Sequence, residues 1–370
     1  MQSRVLMDVG PGAGGHGARG IGRYVRGVAD SLEEWPAERR ELVWAVGRAG
    51  QDLSAFGGRS TTSRWLGFRP LDIGLVICPL ALGRAMGRTG TDIFHATDPH
   101  RPWRNRKIRQ LVTAYDLIPL HETEMLASWQ PHQRYAYRAY LDQVRRADVV
   151  IAISEATAAD VSASLAVPRE RIAIVAPVVV APEVVSHHPD PNRPTFLFVG
   201  ALDPHKQPEL AVEALARFRG GNGTRAGNGD GRLRFIGPSS EERRARVREV
   251  ASRLGVLDSI QFDGRISDSN LDEAYASATA LLSTSRIEGF GLPPVEAALR
   301  GVPVISVDIP SARETVGELA TLVPSDAEAI AEAMAAPQVP TAAARDATRD
   351  RYSRRAAAAA LWSAYSRLLG

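Results

Sequence analysis

The sequence predicts an α/β protein made of two parallel-sheet domains around one crevice, and three observations carry that prediction. Short β-branched or apolar runs alternate with helix-like patterns along most of the chain, which is how successive βαβ units read. The alternation fails once, near residues 178–194, where Pro177, Pro182, Pro189, Pro191 and Pro194 crowd together; such a break reads as a linker. The chain has 370 residues, more than twice a domain of roughly 150.

In the first half, strand-like runs fall at 5–9, 42–46, 92–95, 111–115, 149–153 and 172–175, with helical patterns at 21–33, 135–147 and 155–165. After the break the pattern restarts. Runs at 196–199, 233–236, 259–262, 280–283 and 304–307 predict strands, and helices are expected at 208–218, 241–254, 271–277 and 293–299. The glycine-dense stretch 219–232 reads as a surface loop of the second domain. The last stretch, 351–369, sets Tyr352, Leu361, Trp362, Tyr365 and Leu368 at helical spacing and must bury that stripe against a neighbour. The expected organisation is a first domain at 1–180, a linker at 181–194, a second domain at 195–345 and a terminal helix at 346–370 packing back across the cleft. Open α/β sheets bind ligands at the carboxyl ends of their strands, so function is sought there.

Composition narrows the chemistry. Hydrophobic residues at 44% and charged residues at 24% exclude bulk disorder, and a net charge of +3 is far from that of a dedicated nucleic-acid binder. Cys78 is the only cysteine, which excludes an intramolecular disulfide and a cysteine-based zinc cage and suits a reducing compartment. The opening residues read as a first strand and its turn rather than a signal peptide, and the densest apolar stretch, 72–84, is too short and too interrupted to span a bilayer. A cytoplasmic protein is expected.

Several residues bear on chemistry. The run Gly10 to Gly15, GPGAGG, formally matches G-x-G-x-x-G, but the second strand ends in Gly47 and not in an acid, so a dinucleotide site fits poorly. Gly20, Ile21 and Gly22, flanked by Arg19 and Arg23, fit better as a turn where backbone approaches an anion at a helix start, with a plain flexible turn as the alternative. In SRIEGFGLPPVE a glycine turn leads into a helix opened by Pro293 and Pro294, with Glu288 before the turn and Glu296 expected in the helix's first turn. Carboxylates beside an anion cradle suit hydroxyl partners such as those of sugars; a loop charge and a helix-dipole residue are the plainer reading. The chain places only two lysines, Lys107 and Lys206, among 45 basic residues. A lysine retained at 206, just after a strand, suits a compact point charge on phosphate oxygen.

Taken together these residues resemble the family 4 retaining glycosyltransferases of the GT-B fold, over the chain from its first glycine-rich turn to about Leu322. The most specific element is an E-x7-E motif, Glu288 to Glu296 in EGFGLPPVE. The resemblance implies two Rossmann-like parallel-sheet domains facing an interdomain cleft. It implies that the backbone of Gly289, Phe290, Gly291 and Leu292 holds donor sugar and diphosphate, that Glu296 binds the nucleotide ribose, and that Glu288 contacts the transferred sugar. It further implies that Lys206 neutralises the diphosphate, that Arg265 and Ile266 meet the base, and that Gly20 and Gly22 form the N-terminal glycine loop. TAYDLIPL, with Asp116, and AISEAT look like the family's first-domain loops. The chain departs from the pattern at Ala201, where an arginine normally accompanies the lysine, and at Tyr115, where many relatives carry histidine before Asp116.

The implied reaction moves a sugar with retained configuration from a nucleotide-diphosphate sugar to an acceptor hydroxyl. No cofactor and no metal are expected, since the chain contains no D-x-D pair and Lys206 can supply the charge. His187 and His188 in the linker are expected to be solvated. His95, Asp98, His100, Asp116 and His121 lie at or after the ends of first-domain strands and are expected on the acceptor side, any of them able to act as a base. The basic stretch at 100–110 could touch anionic lipid or an acidic acceptor, or form a solvated face. Ala201 keeps open a non-catalytic nucleotide-sugar-binding subunit, and the fold itself an epimerase; a sugar phosphorylase would need a longer chain.

Overall fold

The computed structural model describes residues 4–12, 20–48, 60–63, 86–87, 89–97, 108–181, 187–220 and 231–369. The chain divides into two compact units, one formed by residues up to Val178 together with those from Tyr352 onward, the other by Val179–Arg351.

In the first unit the described strands are β1 (Val5–Asp8), β2 (Val43–Arg48), β3 (Ser60–Ser63), β4 (Ile93–Ala96), β5 (Arg109–Ala114), β6 (Val149–Ala152) and β7 (Ile172–Ile174). They form a sheet in the order β3-β2-β1-β4-β5-β6-β7, with every pairing parallel. Central strands β4 and β6 are buried along their whole length, which is why they read as unbroken apolar runs rather than alternating ones. β3, with the sequence STTS, has no such run. It takes an edge position, where one neighbour suffices.

The second unit repeats the plan. Its described strands are β8 (Thr195–Val199), β9 (Arg232–Ile236), β10 (Ile260–Gly264), β11 (Ala280–Ser283), β12 (Val304–Val307) and β13 (Ala320–Val323). They lie in the order β10-β9-β8-β11-β12-β13, all parallel. The order reverses between β8 and β11, and a doubly wound sheet opens a binding crevice at the carboxyl ends of such a pair. The loops that follow β8 and β11 carry Lys206 and Glu288.

The chain end differs from the single helix expected at 346–370. Helix Ala342–Arg351 belongs to the second unit, and a new helix, Arg354–Ser366, belongs to the first. The break lies where the Ser353 hydroxyl accepts a hydrogen bond from Ala356 N and caps the new helix. That helix buries Ala357, Ala358, Leu361, Ala364 and Tyr365, and the Trp35 indole N–H donates to Ala358 O at 2.8 Å. Residues 187–194, expected in a free linker, are tied to the second unit. His187 Nε2 lies 2.8 Å from Ala278 O, and His188 N donates to Ala276 O at 2.8 Å. Among the described residues no helix is long and apolar enough to cross a membrane.

Candidate functional site

Glycines end three adjacent strands of the second sheet. Gly200, Gly237 and Gly264 follow or close β8, β9 and β10, and all have positive φ, at 146°, 144° and 67°. Gly200 N donates to Ile236 O and Gly237 N to Gly264 O, each at 2.8 Å, so the strand ends are laced together. A Cβ on Gly237 would sit 2.2 Å from Gly200 O, and one on Gly200 would reach the Lys206 stem at 3.6 Å. At Gly237 only glycine leaves room for the neighbouring carbonyl, while at Gly200 the lysine stem lies in ordinary contact and the positive φ is what favours glycine. FLFVG, RFIG and FDG carry the signal of this in the sequence, a glycine closing each strand run.

From Gly200 the chain runs into a single 3-10 turn, Pro204–Lys206, closed by Gln207 with φ 47°. The loop after β11 clamps that turn. The Thr284 hydroxyl lies 2.7 Å from Lys206 O and 2.9 Å from Gln207 O, and Arg286 N donates to His205 O at 2.9 Å. Lys206 Nζ donates to Glu288 Oε1, and the Ser285 hydroxyl donates to the same oxygen at 2.8 Å. Both charged side chains are about four-fifths buried, at 20% and 18% exposure. Burial pushes the Glu288 carboxyl up, but the Lys206 charge, the hydrogen bonds from Lys206 and Ser285, and His205 nearby outweigh it and hold the group below its ordinary value. Thr284 and Ser285 were not singled out by the sequence reading; their position, in the four residues before Glu288 at a strand end, was the available hint.

Beyond Glu288 the turn reaches Gly291, whose φ of 83° caps helix Leu292–Leu299. Pro293 and Pro294 fall in its first turn and carry no N–H. The donors at this helix end are therefore the amides of the turn and Leu292, fewer than an ordinary helix start presents. Phe290 is buried. Glu296 is 2% exposed and stands at the fifth helical position, in the second turn and not the first; a carboxylate so deep is no surface dipole residue. Arg265 is exposed and Ile266 half-buried after Gly264, on the outer strand of this half of the sheet.

In the first unit the chemistry is arranged otherwise. Gly20 opens helix Gly20–Ser31 and is exposed, Ile21 is half-buried and Gly22 is buried. Asp116, two residues ahead of a short helix, Ile118–His121, accepts at Oδ1 from Ile118 N at 3.1 Å. The Tyr115 hydroxyl donates to Thr97 O at 2.8 Å, and its ring meets Tyr24 edge-on at 5.3 Å. The AISEAT segment caps helix Glu155–Leu165 through Ser154, and the Thr157 hydroxyl donates to Tyr115 O at 3.2 Å. His121 Nε2 lies 2.9 Å from the Asp160 carboxylate, which also accepts from the Ser164 hydroxyl at 2.7 Å.

His95, expected to face an acceptor, does not. It is fully buried in β4, with Nδ1 2.7 Å from the Tyr365 hydroxyl and Nε2 2.9 Å from the Thr113 hydroxyl. Both ring nitrogens are taken, and burial pulls its pKa down to about 3. An apolar run such as IFHA hides which face each residue takes in a sheet covered on both sides, so the inward turn of His95 has no local signature. Asp98, His100, Arg19 and most of the basic stretch at 100–110 lie outside the described residues. Among the described residues no group of three or more His, Cys, Asp or Glu is placed to hold a metal ion.

The two halves of the chain match two family models. Residues 182–337 match the model for glycosyl transferases group 1, and residues 18–180 match glycosyltransferase family 4. The chain belongs to the family 4 glycosyltransferases. D-inositol 3-phosphate glycosyltransferase of Acidothermus cellulolyticus is 36% identical over 117 residues, 30% of this chain and 25% of that protein. The matched stretch thus spans about a quarter of that curated relative's length. Among solved structures, sucrose-phosphate synthase of Thermosynechococcus elongatus superposes with a TM-score of 0.72 at 19% identity, covering 99% of each chain. Anabaena HepE, solved in complex with UDP-glucose, gives 0.66 at 16% identity over the full length of both chains. These likenesses establish the GT-B fold for this family 4 chain.

Proposed function

We propose that this family 4 glycosyltransferase moves a sugar from a nucleoside-diphosphate sugar to a hydroxyl of an acceptor, with retention of anomeric configuration. The observation that carries the reading is Lys206, fixed by its clamped turn at the switch point of the second sheet beside the Gly289–Leu292 bend. As the bond between sugar and diphosphate breaks, negative charge grows on the leaving oxygen, and a preplaced ammonium with backbone amides lowers that barrier. Glu288, ionised beside it, takes sugar hydroxyls and opposes the positive charge developing on the ring. Glu296 takes the ribose, Arg265 and Ile266 the base, and the Gly20–Gly22 backbone approaches the donor. Asp116 is assigned a catalytic role and His121 an acceptor-side one. Lys206 supplies the neutralising charge in this scheme, which assigns no role to a metal or cofactor. HepE, solved in complex with UDP-glucose, supports the donor class, and the relative named for glycosyl transfer supports the reaction.

Ala201, where an arginine would give a second cation, favours one further reading: a subunit that binds nucleotide sugar without consuming it. Calorimetry with UDP, GDP, ADP and dTDP, followed by donor consumption with candidate acceptors and NMR of the product anomer, separates the two. Lys206→Ala is expected to slow transfer by about a hundredfold or more, and Glu296→Ala to weaken nucleotide binding about tenfold. Unchanged kinetics and binding in both variants would refute the assignment.

A further inference from the structure

The donor reading gives Lys206 to diphosphate and Glu288 to the sugar, yet the two side chains are joined to each other. Lys206 Nζ donates to Glu288 Oε1, and the Ser285 hydroxyl, 5% exposed, fixes that same oxygen at 2.8 Å. The backbone that carries the lysine is held as well. Its turn is pinned through Thr284 to the carbonyls of Lys206 and Gln207, and through Arg286 N to His205 O. Its stem lies along Gly200. A diphosphate on Lys206 therefore has to share one ammonium with a carboxylate that is held in place.

We propose that Glu288, steadied by Ser285, is a competing anion for Lys206 that discriminates the sugar-bearing donor from the sugar-free nucleoside diphosphate and drives release of the latter after transfer. The inference rests on the donor reading above and deepens it. With a sugar present, its hydroxyls donate to the lone pairs of Glu288 and offset the repulsion between carboxylate and diphosphate. Once the sugar has gone to the acceptor those donors leave with it. The carboxylate then faces a diphosphate with nothing between them but the shared cation, and Lys206 reverts to Glu288. Lys206, then Ser285 and His205, are the groups acting on Glu288 that keep it ionised.

Calorimetry and stopped-flow release with the four nucleoside diphosphates named above test this on the full chain. Lys206→Ala is expected to weaken binding of the tightest of them; if none binds, or if Lys206→Ala leaves binding unchanged, the donor reading itself falls. Given that loss, Glu288→Gln, which keeps shape and removes charge, is expected to tighten the sugar-free nucleotide about fivefold and to slow its release by a similar factor. The same variant should bind the sugar-bearing donor no more tightly than the wild type. Ser285→Ala frees the carboxylate and is expected to shift binding of the sugar-free nucleotide in the same direction by less, with Ser285→Thr restoring the wild-type value. Weaker or unchanged binding of the sugar-free nucleotide in Glu288→Gln, alongside the loss in Lys206→Ala, overturns the proposal while leaving the donor site standing.

Discussion

The two sheets begin with the same strand order and use their switch points differently. In the second unit the loops after β8 and β11 close on each other through Thr284, Arg286, Lys206 and Glu288, and the result is a charged pair with part of its surface open. In the first unit the described polar groups near β4 and β5 turn inward: His95 to Tyr365 and Thr113, Tyr115 to Thr97. The same topology thus yields a partly exposed ion pair in one unit and a hydrogen-bonded interior in the other. Gly200, Gly237 and Gly291 stand at or after the second unit's strand ends with positive φ, and a Cβ on Gly237 would strike the Gly200 carbonyl oxygen, whereas beyond the ends of β4 and β5 the Tyr115 hydroxyl donates to Thr97 O and Tyr115 O accepts from the Thr157 hydroxyl.

Tryptophan makes this contrast measurable. The described tryptophans, residues 35, 44, 129 and 362, belong to the first unit, and the sequence of the second, Val179–Arg351, contains none, so fluorescence follows one unit while far-UV circular dichroism follows both. The largest effect is expected from Gly237→Ala. Its methyl would lie 2.2 Å from a carbonyl oxygen at a φ of 144°, and strain plus displacement of backbone should cost more than about 3 kcal/mol. The circular dichroism transition of the second unit should drop sharply while the fluorescence transition stays. Gly20→Ala is the counterpart, since a Cβ there meets no described atom within 4 Å; stability should change by less than about 1 kcal/mol. If both glycines prove equally tolerant, the contrast in backbone crowding is wrong.

Next in size is His95. Replacing it with Gln leaves the Tyr365 or the Thr113 hydroxyl short of a buried partner, and should cost about 2–3 kcal/mol at pH 7, read as a shift of the fluorescence transition alone. The loss has a sign in pH. Burial holds the folded pKa near 3, below its ordinary 6.5, so between those values the unfolded chain binds a proton that the folded one refuses. Wild-type stability from this group is complete above about pH 6.5 and declines as the pH falls toward 3. The gap between wild type and His95→Gln should therefore narrow by about 2 kcal/mol from pH 7 to pH 5. A gap independent of pH would mean that His95 is not buried neutral.

How far the sequence foretold these features follows from the same physics. Buried parallel strands such as VVIA and VISV have no polar face to disguise them, and each lies where its apolar run stands. β3 and β13 went unread because STTS and ATLV carry too little apolar contrast, and their pairing is set by neighbours distant in sequence. In the second unit the site was legible as residue types because it sits on two loops, each continuous in sequence, around Lys206 and around Glu288. That these loops meet, and that Ser285 and Thr284 hold them, is a product of β8 and β11 lying side by side, which no local pattern encodes. The inward turn of His95 was equally hidden, since its partners Thr113 and Tyr365 are 18 and 270 residues away.

The smallest effect is expected at His121, and it decides what is left of the first unit's histidines as acceptor-side groups. Its imidazole is 41% exposed and meets Asp160, 24% exposed, which is further held by the Ser164 hydroxyl. A pair so wet contributes little to the fold, so His121→Ala should lower stability by less than about 1 kcal/mol, a shift of a few degrees at most in the fluorescence transition. A base in sugar transfer contributes about a hundredfold or more. Transfer kinetics on this stably folded variant therefore read the chemical role free of any folding defect, which His95→Gln cannot offer. Since an exposed His–Asp pair keeps one ring nitrogen beyond the carboxylate contact, the expected outcome is a rate that falls while the transition barely moves. A rate equal to wild type would remove His121 from the acceptor side and leave Asp116 as the described candidate of that unit still to be tested.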